Sequence, residues 1–90
     1  MTNELQTRIF NLALMYNKGR EIANAIALQK HSSIRNILED IIDDKMFYIV
    51  QNKKKVLNPE HKTKYNDLNI VYSDFMDYYI KKLDGRVLQQ

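Results

Sequence analysis

Apolar positions recur along this chain in blocks separated by short polar breaks, and their period shortens once, mid-chain, before the helical spacing returns. Leu5, Ile9, Leu12, Ala13 and Tyr16 fall on one side of a helix, with Phe10 and Leu14 widening that surface. Asn17, Lys18 and Gly19 interrupt the pattern, and Gly19 is predicted to be the left-handed residue just beyond the helix. Arg20 opens a second helix in which Ile22, Ala23 and Ile26 lie one turn apart. A third helix, over 31–43, follows from Ile34, Ile37, Leu38 and Ile41, the mark of a single buried stripe. Between these two, Gln29 to Ser33 holds no large apolar residue, and Ser32 or Ser33 is suited to cap the third helix by accepting a backbone N–H. The pair reads as a helix-turn-helix.

After Asp44 the period shortens. Met46 to Val50, MFYIV, is aromatic and β-branched and reads as a strand. Gln51, Asn52 and Lys53 form a polar turn in which Asn tolerates positive φ, and Lys55, Val56 and Leu57 return as a second strand. Asn58-Pro59-Glu60 then starts a helix: a capping residue, a proline where its missing N–H costs nothing, and an acid at the positive end of the dipole. That helix is predicted to run to about Leu83 and to end at Gly85.

Two apolar stripes line this last helix. Tyr65, Leu68, Tyr72, Phe75, Tyr79 and Leu83 form one, and Val71, Met76 and Ile80 a second beside it. One small domain does not readily cover both, and a monomer would be left with an apolar patch of the kind soluble proteins avoid. Tyr65, Leu68, Tyr72, Phe75, Met76, Tyr79, Ile80 and Leu83 are therefore expected to form a homodimer interface. The alternative is that the helix folds back on the first one and buries most of its aromatics there.

Charge is unevenly distributed. The whole chain carries a formal +3, yet residues 45 to 64 hold six lysines against one acid, Glu60. Lys53, Lys54 and Lys55 sit together at the hairpin tip, where mobile point charges serve affinity and salt dependence rather than base choice. A lysine run taken alone is also what a solvated turn looks like. The head of the third helix carries Lys30, His31, Ser32, Ser33, Arg35 and Asn36, side chains that donate hydrogen bonds to phosphates or base edges, and Arg20 stands near them in sequence. Asp67, Asp74, Asp77 and Asp84 place acids along the last helix by contrast.

With E-I-A at 21 to 23, I-R-N-I-L at 34 to 38, D-D-K-M-F at 43 to 47 and L-N-P-E at 57 to 60, the chain resembles the winged helix-turn-helix regulators of the MarR and ArsR types over roughly residues 5 to 60. It departs from them in a turn one residue longer than usual, and in having no glycine before the wing, around Lys45. The resemblance implies a mainly α fold with a small β-hairpin (α+β): a winged helix-turn-helix over 1–58 and a long C-terminal dimerisation helix over 59–90. It implies a homodimeric, sequence-specific DNA-binding protein, most simply a transcriptional repressor. The first two turns of helix 31–43 would enter the major groove, and the lysine-rich wing would lie on the backbone or minor groove. Arg20, Lys30, His31, Ser32, Ser33, Arg35, Asn36, Lys53, Lys54 and Lys55 are the expected contacts to double-stranded DNA. A two-fold axis would set two recognition helices about 34 Å apart, one per half-site.

Other chemistry finds little footing. There is no cysteine, hence no disulfide, thiolate nucleophile or thiolate metal site, which removes the usual ligands of metal-sensing ArsR-type proteins. His31 and His61 are thirty residues apart and neither has a companion at metal-ligand spacing. Glu39, Asp40, Asp43 and Asp44 lack the glycine of a calcium loop. The expectation is a cytoplasmic protein that is not an enzyme, with no cofactor, no metal and no membrane segment. Besides an architectural chromatin protein, two other functions fit the same residues. One is a plasmid or phage centromere-binding adaptor that hands tandem DNA sites to a partition filament. The other is a helical interaction or immunity protein whose lysines only solvate it.

Overall fold

The computed structural model describes the backbone of residues 1–88 and the side chains of residues 1–83. Three short helices come first: α1 (Asn3–Met15), α2 (Gly19–Ala27) and α3 (His31–Ile42). Thr2 starts α1, its Oγ1 accepting the Leu5 N–H at 3.1 Å. Helices α1 and α2 stop by the same device. Asn17 and Gln29 take positive φ, 61° and 54°, so that the next N–H turns back to a carbonyl of the last turn. Lys18 thus donates to Ala13 and Lys30 to Ala25, each at 2.9 Å.

Two local expectations are corrected here. Gly19 is not the left-handed residue; Asn17 is, and Gly19 is already the first residue of α2. What Gly19 supplies is room, since a Cβ there would stand 2.9 Å from Leu14 Cδ1. Neither Ser32 nor Ser33 caps α3. Lys30 holds the capping position, without a side-chain cap bond, and its carbonyl accepts from the Ser33 and Ile34 N–H groups, so the helix begins before either serine can serve.

The strand predicted from Met46 begins at Tyr48. Lys45–Phe47 form a 3₁₀ turn, held by Asp44 Oδ1 accepting the Met46 N–H at 2.9 Å, and this turn drives Phe47 into the core. Strands β1 (Tyr48–Gln51) and β2 (Lys54–Leu57) pair antiparallel, Tyr48 opposite Leu57 and Gln51 opposite Lys54. The connection is Asn52-Lys53, both left-handed (φ 51° and 63°), as a two-residue hairpin matched to strand twist requires. Asn58 Oδ1 then accepts the Glu60 N–H, a 3₁₀ turn spans Pro59–His61, and α4 runs Lys62–Leu88. It continues through Gly85, where the sequence suggested an end; a glycine inside a helix costs only about 1 kcal/mol.

α4 packs on α3 and α1. One core results, drawn from Ile9 and Ala13 of α1, Ile22 and Ala25 of α2, Ile34, Leu38 and Ile41 of α3, Phe47, and Leu68, Val71 and Phe75 of α4. This settles which way the helix faces. Leu68 and Phe75, expected at a dimer interface, are completely buried inside the chain, and Tyr65, Tyr72, Met76 and Tyr79 are half-buried against the same core. The physical reason is that Ile9 and Leu38 need a cover, and the Leu68–Phe75 stripe provides it. Ile80 and Leu83 remain exposed, as does Ile70. None of the helices among the described residues is long and apolar enough to cross a membrane.

Candidate nucleic-acid interface

The expected contacts fall into four places: the start of α2, the turn after it, α3 and the hairpin. Arg20 is exposed in the first turn of α2. Lys30 is exposed in the turn between α2 and α3, where it lines a groove with Glu21, Asn24, Ala25, Leu28, Ser33 and Ile37. Lys53, Lys54 and Lys55 are exposed at the hairpin. None of these five cations is held in an ion pair with a described acid.

α3 presents a mixed surface. Ser32, Asn36 and Asp40 form its exposed strip, which continues into exposed Asp43 and Asp44, so the outward face turns acidic after two turns. Ser33 and Arg35 are half-buried. Arg35 is drawn along the helix, with Nε 4.0 Å from Glu39 Oε1 and an amino group 3.5 Å from Asn36 Oδ1. Glu39 in turn accepts from the Tyr72 hydroxyl at 2.7 Å, tying α3 to α4. Burial first, and then this hydrogen bond to a carboxylate, hold the Tyr72 hydroxyl above its ordinary pKa.

His31 is the correction among the expected contacts. It heads α3 but only 8% of it is exposed, because its ring faces α4 rather than solvent. It stacks on Phe75 and Tyr79 at centroid distances of 6.4 and 5.8 Å and tilts against Tyr78, whose hydroxyl lies 3.4 Å from Nε2. A cue was present in the sequence, since His31 stands three and seven residues before Ile34 and Leu38 and so belongs to the apolar stripe. His61, expected at a helix start, lies in the 3₁₀ turn before α4 with its ring edge-on to Phe47.

The hairpin adds residues that sequence reasoning did not single out. Tyr48 donates a hydrogen bond to the Tyr65 hydroxyl at 3.2 Å, anchoring β1 to α4. That bond, then burial, pushes the Tyr48 pKa up to about 12. The Lys55 ammonium sits 4.3 Å above the Tyr48 ring, a cation–π contact. Lys45, Tyr48, Val50, Lys53 and Lys55 line a shallow hollow of about 410 Å³ on one face of the hairpin. The charge therefore gathers away from α3: helix His31–Ile42 contains Arg35 against Glu39 and Asp40, while 45–57 contains four lysines and no acid.

Chemically, exposed ammonium groups on a braced hairpin suit electrostatic contact with a polyanion. Among the described residues no group of three or more His, Asp or Glu side chains is placed to hold a metal ion. Comparison with models of protein families, with curated proteins and with solved structures found no match.

Proposed function

We propose that the chain binds double-stranded DNA as a winged helix-turn-helix protein, with control of transcription as its role. The observation that carries this reading is the exposed hairpin, which carries Lys53, Lys54 and Lys55 and is braced on α4 through Tyr48 and Tyr65. Supporting it is the order of elements: α2, a three-residue turn and α3, then the hairpin. In such an arrangement α3 offers Ser32 and Asn36 to the major groove while the hairpin lies along the flanking backbone. A homodimer would present two such heads. Of the side chains expected at that interface, Ile80 and Leu83 remain exposed, flanked by half-buried Met76.

Arg35 and Asn36 were expected to read guanine and adenine. Arg35 can do so only by exchanging Glu39 for a base, so its contribution to sequence choice is a difference between two partners rather than a new interaction. The test is binding to mixed genomic fragments at two salt concentrations. The expected result is affinity that falls steeply with salt, followed by recovery of preferred fragments on selection and sequencing. Absence of salt-sensitive binding by the intact chain would refute the proposal.

A further inference from the structure

Along a strand, successive side chains point to opposite faces, and this divides the lysine run of the hairpin. Val50 pairs with Lys55 and Tyr48 with Leu57, so these four share one face; Ile49, Val56, Gln51 and Lys54 share the other. The hollow lined by Lys45, Tyr48, Val50, Lys53 and Lys55 lies on the first face, and Lys54 is not among its walls. Its lysines come from three places: the 3₁₀ turn before β1, the turn residue Lys53, and β2. Its floor is fixed, because the Tyr48 ring is held by Tyr65 and carries the Lys55 ammonium above it. Val50 of β1 is 78% exposed, an apolar side chain standing open beside these lysines.

We infer that this hollow seats a segment of the DNA backbone, with Lys45, Lys53 and Lys55 against phosphates and Val50 against the sugar between them. Lys54, on the far face, adds only to the long-range field. The inference rests on the DNA reading above and sharpens it: contact is confined to one face of the hairpin. Charge complementarity selects the occupant, since three ammonium groups and no carboxylate line the hollow. A bilayer surface suits it less well. The apex, Gln51 to Lys54, carries no apolar side chain to insert, and the exposed valine lies on the flank.

The experiment compares equal charge changes on the two faces. Lys45→Gln, Lys53→Asn, Lys54→Gln and Lys55→Gln, with Val50→Ser, are titrated against a short fluorescent duplex of mixed sequence over a range of NaCl concentrations. Asparagine is used at position 53 because it tolerates the left-handed backbone there. Circular dichroism confirms that each variant is folded. Lys45→Gln, Lys53→Asn and Lys55→Gln are each expected to weaken binding about threefold or more at low salt and to reduce the slope of log K against log salt by ~0.9. Lys54→Gln should change both much less, and Val50→Ser should weaken binding with the slope unchanged. A loss at Lys54 equal to that at the other three, or no loss at Val50, overturns the inference while leaving DNA binding in place. Equally tight capture by phosphatidylserine vesicles, lost in the same variants, overturns the choice of DNA. If the unaltered chain shows no salt-dependent binding to the duplex, the underlying DNA reading has failed instead.

Discussion

Gln29 holds a backbone conformation that suits glycine, and the angle between α2 and α3 turns on it. Its φ of 54° lets Lys30 reach back to Ala25, which ends α2 and starts α3 within three residues. A side chain in this left-handed region costs on the order of 1 kcal/mol relative to glycine. Gln29 is exposed and its side chain makes no hydrogen bond among the described residues, so Gln29→Gly should remove that cost and lose little. Thermal unfolding is expected to shift upward by roughly 4–8 °C, the response of a domain this size to about 1 kcal/mol. A lower midpoint would mean that the glutamine side chain supports the turn. Gly19 shows the converse. Residue type alone marked it as the left-handed stop, but the register of the last α1 turn puts that duty on Asn17, whose side chain also tolerates it. Glycine's preference was readable in the sequence; which of three consecutive residues would meet the Ala13 carbonyl was not.

The hairpin was legible because its determinants are local: an aromatic and β-branched run on the first arm, Val56 and Leu57 on the second, and Asn52 at the turn. Its attachment was not, because Tyr48 and Tyr65 are seventeen residues apart and meet only through the fold. That contact has a pH signature. The Tyr48 hydroxyl is held protonated to about pH 12 by its bond to Tyr65, so folding favours the protonated form. The stability it lends is fully present below the unfolded tyrosine pKa near 10 and is lost as pH rises through the folded value. In urea titrations from about pH 9 to 11.5, Tyr48→Phe should start less stable and should lose less stability than the unaltered chain as pH increases. Tyr16 and Tyr72, whose hydroxyls are raised chiefly by burial and not by this bond, titrate alike in both proteins and cancel from the comparison. Parallel curves would mean that the Tyr48–Tyr65 bond does not form in solution. The direction α4 faces was likewise beyond local pattern. Both of its stripes are apolar, and only the groove between α1 and α3 decides that Leu68 and Phe75 turn inward. His31 follows from the same choice, since the aromatics that turn inward draw its ring off the exposed surface of α3.

For the molecule as a whole, this orientation changes where a second copy must dock if the proposed homodimer forms through α4. Leu68 and Phe75 are already covered, so an interface built on them would require the chain to open. Asn69, Ser73, Met76, Ile80 and Leu83 recur at four, three, four and three residues, the spacing of a seam between two helices, and the seam becomes apolar toward its C-terminal half. Ile80 is 49% and Leu83 39% exposed, which leaves them available without unfolding anything. Two substitutions separate the roles. Phe75→Ala empties a fully buried site and is expected to cost about 3–5 kcal/mol of chain stability. Ile80→Glu places a charge in the seam; it should leave the unfolding free energy of the dissociated chain unchanged to within about 0.5 kcal/mol while sedimentation shifts from dimer to monomer. Affinity for a long duplex carrying two sites should then fall tenfold or more, since the second head no longer binds at the effective concentration of a linked partner, whereas affinity for a single site should hold. A dimer that survives Ile80→Glu, or one that Phe75→Ala dissociates without destabilising the chain, would place the contact elsewhere and remove the reason for pairing two hairpins across one axis.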